Sequence, residues 1–265
     1  MSIRVCLSGI SGWVGQALAE SILKDGAFEM VSGVSRSWAG KKSSGLVAGS
    51  SFKIFASVKE ALETTCDVLI DYTKPDVVKS NVLTALERRV SVVVGTSGLT
   101  DKDYDEIGKA AEDQSVGVIA SGNFSLTAAL LLKFSLMAAK HLPSYEILEY
   151  GSASKPDAPN GTTRELAYRL GEIGHPSIGH PIDKTHGISA ARGATVSGTQ
   201  IHSVRSPGFV SSGEVIFARN GERLRITQDT LNTAEPYVAG TLLAVKKVLG
   251  VNGLVRGMDR IMDLQ

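Results

Sequence analysis

The chain has 265 residues, enough for one large α/β domain or two modest ones, and its 28 basic residues balance 27 acidic ones. No run of lysine or arginine exceeds two, so a nucleic-acid or membrane-surface footprint is excluded and the expected partner is a small molecule. The 28 glycines and 43% apolar content suit an α/β enzyme with many tight turns, and no apolar run approaches the roughly 18 residues of a membrane span.

Cys6 and Cys66 fall inside apolar, strand-like runs and read as buried thiols rather than a disulfide or a metal pair. Met1-Ser2-Ile3 leads straight into a strand with no charged-then-apolar leader. The expectation is a cytoplasmic protein from a reducing compartment.

Ile3 to Leu7 is a β-rich run, followed by Gly9-Ile10-Ser11-Gly12-Trp13-Val14-Gly15 and a helix over Gln16 to Leu23. A strand, a glycine turn and a helix in this order let the backbone approach a pyrophosphate at the helix N-terminus. Gly9, Ser11, Gly12, Trp13 and Val14 are therefore cofactor candidates; a plain tight βα turn is the other reading. The second strand, Glu29 to Val34, ends in Ser35-Arg36-Ser37. An NAD-selective site usually places an acid here for the ribose 2′-hydroxyl, whereas Ser35 and Arg36, with Lys41 and Lys42 nearby, suit a 2′-phosphate. The expected cofactor is NADPH, with NADH possible, unless Arg36 is simply a solvated strand-end residue.

Cys66 to Pro75, Val90 to Gly98 and Val116 to Phe124 each pair an apolar strand with a turn, and Val78 to Glu87 and Asp101 to Glu112 between them read as helices. Such alternation predicts a parallel sheet covered on both faces. Ligands of such sheets bind at the strands' carboxyl ends, which makes Tyr72, Thr73, Gly95, Thr96, Ser97, Ser121, Asn123 and Phe124 further cofactor candidates. Asp101, Asp103, Asp105 and Glu106 lack the glycine and glutamate of a calcium loop and read as a solvated helix start; no metal site is expected.

After an apolar helix over Leu126 to Ala139, a strand over Tyr145 to Tyr150 opens a different texture. Lys155-Pro156-Asp157-Ala158-Pro159-Asn160-Gly161-Thr162 is a loop that opens a helix, whose first turn offers amides lacking intrahelical partners at the positive end of the dipole. A carboxylate or phosphate on Asn160, Gly161 and Thr162, with the charge of Lys155, would be well bound; an ordinary helix entrance with Asn160 as N-cap is the alternative. Thr195 to Val204, Gly208 to Ala218 and Glu222 to Thr227 alternate as in an antiparallel sheet, Pro236 to Val248 is a helix, and Gly253 to Asp259 reads as a tail. His202 reads as a structural strand residue.

These residues resemble the 4-hydroxy-tetrahydrodipicolinate reductases, the dihydrodipicolinate reductases of lysine biosynthesis. The resemblance spans the chain and rests on Gly9 to Gly15, Asp71 to Pro75, Gly95 to Gly98, Asn123 to Ser125, Lys155 to Thr162, Ile201 to Arg205 and Gly221 to Leu224. It implies an α/β chain with a Rossmann dinucleotide-binding domain (1–122 and 234–265) and a central α+β domain with a mixed sheet (123–233) that assembles a homotetramer. It also implies that Lys155, Gly161 and Thr162 hold a substrate carboxylate. A proton-donating histidine pair of the family falls on Gly151 and Ser152, a later histidine on Gln228, an arginine of the glycine turn on Trp13, and a serine on Asn160. The expected function is hydride transfer from NADPH to a carboxylated cyclic imine or enamine, with Lys155, Tyr150 or water as proton donor. The alternatives are a paralogue acting on another small carboxylated imine or carbonyl compound, with Tyr150, Ser152 and Ser154 shaping its pocket, and a non-catalytic NADPH- or carboxylate-binding protein.

Overall fold

A computed structural model describes residues 2–264; Met1 and Gln265, the outer bounds of the expected first domain, lie outside the described residues. The chain divides into two units, one running to Leu126 and resuming at Ala234, the other spanning Thr127–Thr233.

The first unit is built on a seven-stranded sheet. In chain order it comprises β1 (Ile3–Ser8), α1 (Trp13–Lys24), β2 (Phe28–Val34), β3 (Lys53–Phe55), α2 (Val58–Ala61), β4 (Val68–Asp71), α3 (Pro75–Glu87), β5 (Ser91–Val94), α4 (Asp101–Gln114) and β6 (Gly117–Ala120). After the second unit the chain returns with α7 (Glu235–Val248), β12 (Gly253–Arg256) and α8 (Met258–Asp263). The strand order is β12-β6-β5-β4-β1-β2-β3 and every pairing is parallel. Every residue of β4, β5 and β6 is buried, as expected of strands covered on both faces. The order reverses between β1 and β4, the switch point at which such sheets open a ligand crevice.

Local chemistry sets several element ends. Helix α3 begins at Pro75, earlier than the apolar spacing from Val78 suggests, because proline is pre-organised for a first helical position and forfeits no bond there. Helix α4 begins with a capping box in which Thr100 and Asp103 satisfy each other's backbone N–H groups. Lys79 bridges Asp103 and Glu106, so these acids serve the helix start. Two readings need correction. Gly253 to Asp259 is not a tail: Gly253–Arg256 pairs in parallel with Gly117 to Ala120 and extends the sheet. The short strand β3 and helix α2 carry too little periodicity to have been recognised.

The second unit holds α5 (Leu126–Ala139), β7 (Ser144–Gly151), α6 (Gly161–Ile173), β8 (Ala194–Val196), β9 (Thr199–Arg205), β10 (Ser211–Arg219) and β11 (Glu222–Thr230). Its five-stranded sheet has the order β11-β10-β7-β9-β8. The run from Thr195 to Val204 is not one strand but a hairpin, turned at Ser197 and Gly198, both at positive φ as a tight hairpin turn requires. The alternating pattern suggests an antiparallel sheet, but β7 and β9 run parallel, so the sheet is mixed. Strand β7 alternates strictly, with Tyr145, Ile147, Glu149 and Gly151 buried. The first two join Leu166, Leu170, Ile201, Val215 and Phe217 in the core beneath α5 and α6.

Both cysteines are buried and unpaired. Burial pushes the Cys6 thiol up to about 12 and the Cys66 thiol up to about 11, against 9.0 for an ordinary thiol. Because these folded values lie above the unfolded one, the thiols contribute stability that is fully present below pH 9 and lost as pH rises through 11 to 12. An aromatic disulfide reagent at pH 8 should label neither thiol in the native protein and both after unfolding in guanidinium. Rapid labelling of the native protein would contradict this placement.

Candidate active site

In the first unit the glycine turn is fixed by close contact. Gly9 has φ +84°, and a Cβ there would lie 2.0 Å from the Tyr72 carbonyl oxygen; one on Gly15 would lie 2.2 Å from the Gly9 carbonyl oxygen. Glycine at these places is thus demanded by the passage of β1 into α1 past β4. The helix so delivered has Gly12 as N-cap, no side-chain cap and no acid in its first turn, which leaves its positive end suited to a dinucleotide pyrophosphate. Ser11 Oγ lies 2.8 Å from Ser35 Oγ, which lies 3.2 Å from Ser37 Oγ, so a row of hydroxyls joins the turn to the end of β2. Arg36 is exposed beside this row, and the Lys41 ammonium donates to the Ser37 carbonyl at 2.8 Å. Trp13 is 57% exposed and stands edge-on to Tyr237 at 6.1 Å, while Val14 is half-buried behind it.

The ends of β4 and β5 are organised by Asp71, which is fully buried. Its carboxylate accepts from the Thr73 N–H (3.2 Å), Thr73 Oγ1 (2.6 Å), Thr96 Oγ1 (2.7 Å) and Asn81 Nδ2 (2.8 Å). Thr96 Oγ1 also accepts from the Thr73 N–H at 2.7 Å, so Thr73 and Thr96 are held together at the ends of β4 and β5. Ser97 is exposed and Gly95 half-buried beside them. Ser121 Oγ donates to the Asn123 carbonyl, and Asn123 Oδ1 accepts from the Ser125 N–H, closing the turn after β6.

Two of the cofactor candidates have side chains that face inward. The Tyr72 hydroxyl bonds Thr241 Oγ1 at 2.7 Å, and its ring covers Gly95, where a Cβ would come within 2.2 Å of it. Burial raises its phenol pKa further above the ordinary value. The Phe124 side chain is 1% exposed and packs on Tyr72 at 6.2 Å. Only the backbones of these two residues stand at the strand ends. A sequence does not show which way a strand-end side chain turns.

In the second unit, Asn160 is the N-cap of α6: its Oδ1 accepts from the Thr163 N–H at 2.9 Å and its Nδ2 donates to Glu149 Oε1 at 2.9 Å. The residue is 5% exposed, so its side chain is committed to the protein and the ligand candidates reduce to the helix start and Lys155. Glu149, itself 0% exposed, also accepts from Arg205 Nη2 at 2.8 Å and Ser203 Oγ at 2.8 Å. Arg205 Nη2 further donates to the Asp157 carbonyl. Lys155 Nζ lies 3.3 Å from Asp157 Oδ1, and its backbone N–H donates to the Ser152 carbonyl. A Cβ built on Gly161 meets nothing within 4 Å, so the space over the first turn is open. One built on Gly151 would lie 3.0 Å from Arg205 Nη1 and 3.2 Å from Lys155 Cδ.

Sequence reasoning passed over Glu149, Ser203 and Arg205 as site residues. The available signal was a glutamate at an inward position of an otherwise apolar alternation. Tyr150 alternates to the face opposite Gly151, where its ring stacks on Phe209 at 5.1 Å and its hydroxyl donates to Glu214 at 3.3 Å. Gln228 shares a cross-strand row with Gly213 and Glu149, and its amide donates to Thr230 Oγ1. His202 bonds Glu146 at 2.7 Å, as does Arg192, in a structural strand cluster. Among the described residues no helix is long and apolar enough to cross a membrane.

The chain is similar to known proteins over its whole length. Residues 3–124 match the family model described as dihydrodipicolinate reductase, N-terminus, and residues 127–262 that of the C-terminus. The chain is 36% identical over 265 residues to the 4-hydroxy-tetrahydrodipicolinate reductase of Bacillus pumilus, covering 99% of this chain and 98% of the relative. It is 36% identical over 268 residues to that of Geobacillus thermodenitrificans, covering 99% and 100%. A dipicolinate-bound dihydrodipicolinate reductase from Paenisporosarcina superposes with a TM-score of 0.89 at 29% identity, over 98% of this chain and 100% of that one. An amine dehydrogenase from Mycobacterium smegmatis, at 15% identity and a TM-score of 0.67 over 100% and 97%, shares the fold.

Proposed function

The chain belongs to the dihydrodipicolinate reductase family and is an NAD(P)H-dependent oxidoreductase of that type, and from that premise we propose that it reduces a carboxylated cyclic imine or enamine whose carboxylate rests on Lys155 and the first turn of α6. The observation that carries this reading is the open space over Gly161 at a helix start that follows a lysine-bearing loop. The nicotinamide cofactor supplies the hydride. The chain's own residues supply position and charge.

NADPH is the preferred cofactor in this reading. Ser35, Arg36 and Ser37 offer two hydroxyls and a guanidinium where an NAD-selective site offers a carboxylate, and Gly9, Gly12 and the amides after them form the pyrophosphate turn. Thr73, Gly95, Ser97 and Asn123 line the crevice beyond the strand ends. Lys155 is the carboxylate ligand in this reading, and the proton comes from its ammonium or from water. A homotetramer is consistent with the second face of the five-stranded sheet, where Leu148 and Ile216 are only partly buried and Val204 is 39% exposed.

A second reading is carried by Gly151. A Cβ there would lie close to the Arg205 guanidinium and the Lys155 Cδ, so a side chain at this position must push on both. Such a site is shaped by cations rather than an imidazole, which favours a paralogue reducing another small carboxylated imine or carbonyl compound.

Arg36→Ala should weaken NADPH binding about 10- to 150-fold, the worth of a charge-assisted hydrogen bond, and leave NADH nearly unchanged. Equal affinity of the unaltered protein for both cofactors in fluorescence titration would sink the assignment. Lys155→Ala should weaken binding of pyridine-2,6-dicarboxylate while preserving NADPH affinity; joint loss of both would mean that the residue supports the fold instead. Gly151→His combined with Ser152→His separates the two readings by turnover of 4-hydroxy-tetrahydrodipicolinate. A positioned general acid adds about 100-fold at the low end of its range. We expect no gain, because a side chain at position 151 crowds Lys155 and Arg205; a tenfold gain would show that only the acid had been lost.

A further inference from the structure

The side chain of Asn160 is a joint between a helix and a buried charge. An asparagine amide is planar and presents an acceptor and a donor in fixed relation, and here both are used, Oδ1 on the Thr163 N–H and Nδ2 on Glu149 Oε1, each at 2.9 Å. Glu149 cannot yield, because it is fully buried and is held from β9 by Ser203 Oγ and Arg205 Nη2, each at 2.8 Å. Arg205 reaches on to the Asp157 carbonyl, two residues beyond Lys155. The start of α6 and the loop before it are therefore both referred to one carboxylate in β7.

We propose that Asn160 is a positioning residue which, anchored on Glu149 and Arg205, presets the Gly161–Thr162 turn and Lys155 in the geometry that receives the substrate carboxylate. This rests on the reading of that loop as the carboxylate site. A preset turn spends none of the binding energy on ordering. A serine at position 160 would still cap Thr163 but has a single short hydroxyl, which cannot reach Glu149 as well. The role is thus open to a substitution that spares the cap.

The test compares Asn160→Ser, Asn160→Asp, the exchange Glu149→Gln with Asn160→Asp, and Lys155→Ala in the full chain. Affinities for pyridine-2,6-dicarboxylate and NADPH are measured well below the thermal midpoint of each protein. Asn160→Ser should weaken dicarboxylate binding threefold or more with NADPH affinity unchanged. Asn160→Asp sets two carboxylates against each other and should weaken it further. The exchange separates the two facing carboxylates, but the oxygen that accepts from Asn160 also accepts from Arg205 Nη2, so an amide nitrogen there sets two donors together and the exchange should recover only part of the loss in Asn160→Asp. A residue that only stabilises the fold would move the thermal midpoint and leave the affinity of the folded protein alone. Loss below threefold in Asn160→Ser overturns the proposal while Lys155→Ala still weakens binding. If Lys155→Ala and Asn160→Ser both bind the dicarboxylate normally, the carboxylate reading itself fails and the proposal fails with it.

Discussion

A carboxylate removed from water must be met by donors, and each unit of this chain is ordered around one that is. Removing an ion from water costs several kcal/mol unless hydrogen bonds compensate. Asp71 collects its donors from Thr73, Asn81 and Thr96, and Glu149 from Asn160, Ser203 and Arg205. Those donors lie on different strands, loops and helices, so satisfying one charge fixes several elements at once. The residues that would touch ligand are the immediate neighbours of those donors. Both carboxylates are thus spent on internal hydrogen bonds.

Much of the fold is legible in the residues because its causes are local. Apolar four-residue strands between helical spacings require a sheet covered on both faces, and the glycine turn after β1 announces a helix start. The loop before α6 declares its helix through Asn160 and the prolines ahead of it. What escapes notice depends on pairing. Strand β12 has too few apolar residues to stand apart from a tail until its register with β6 is known. The parallel pairing of β7 with β9 leaves no mark in the alternation of either strand.

The candidate site divides along the same line. Gly9, Gly12, Ser35 and Arg36 are recognisable because a glycine turn and the end of the second strand have defined places in a dinucleotide fold. At Tyr72 and Phe124, position at a strand end does not reveal that the rings turn inward onto Thr241 and each other. Glu149 is the instructive omission: it is conspicuous only once the parity of β7 is known, and its partners lie 11, 54 and 56 residues away. Gly151 changes meaning as well. By resemblance it marks a lost side chain; in three dimensions its small size admits Arg205 and Lys155.

The return of the chain to its first unit bears on how the protein is made. Strand β6 ends at Ala120 and acquires its outer neighbour only with Gly253 to Arg256. During synthesis, at about 5 to 20 residues per second, the long stretch between them emerges over several seconds while one edge of an apolar parallel sheet stands unpaired. An open edge of that kind is a template for pairing with another nascent chain. The second unit, made during that delay, has its own hydrophobic cluster, and two of its four strand pairings, β8 with β9 and β10 with β11, join consecutive strands. The topology therefore leaves the edge of β6 without its partner until the last strand of the chain has been made.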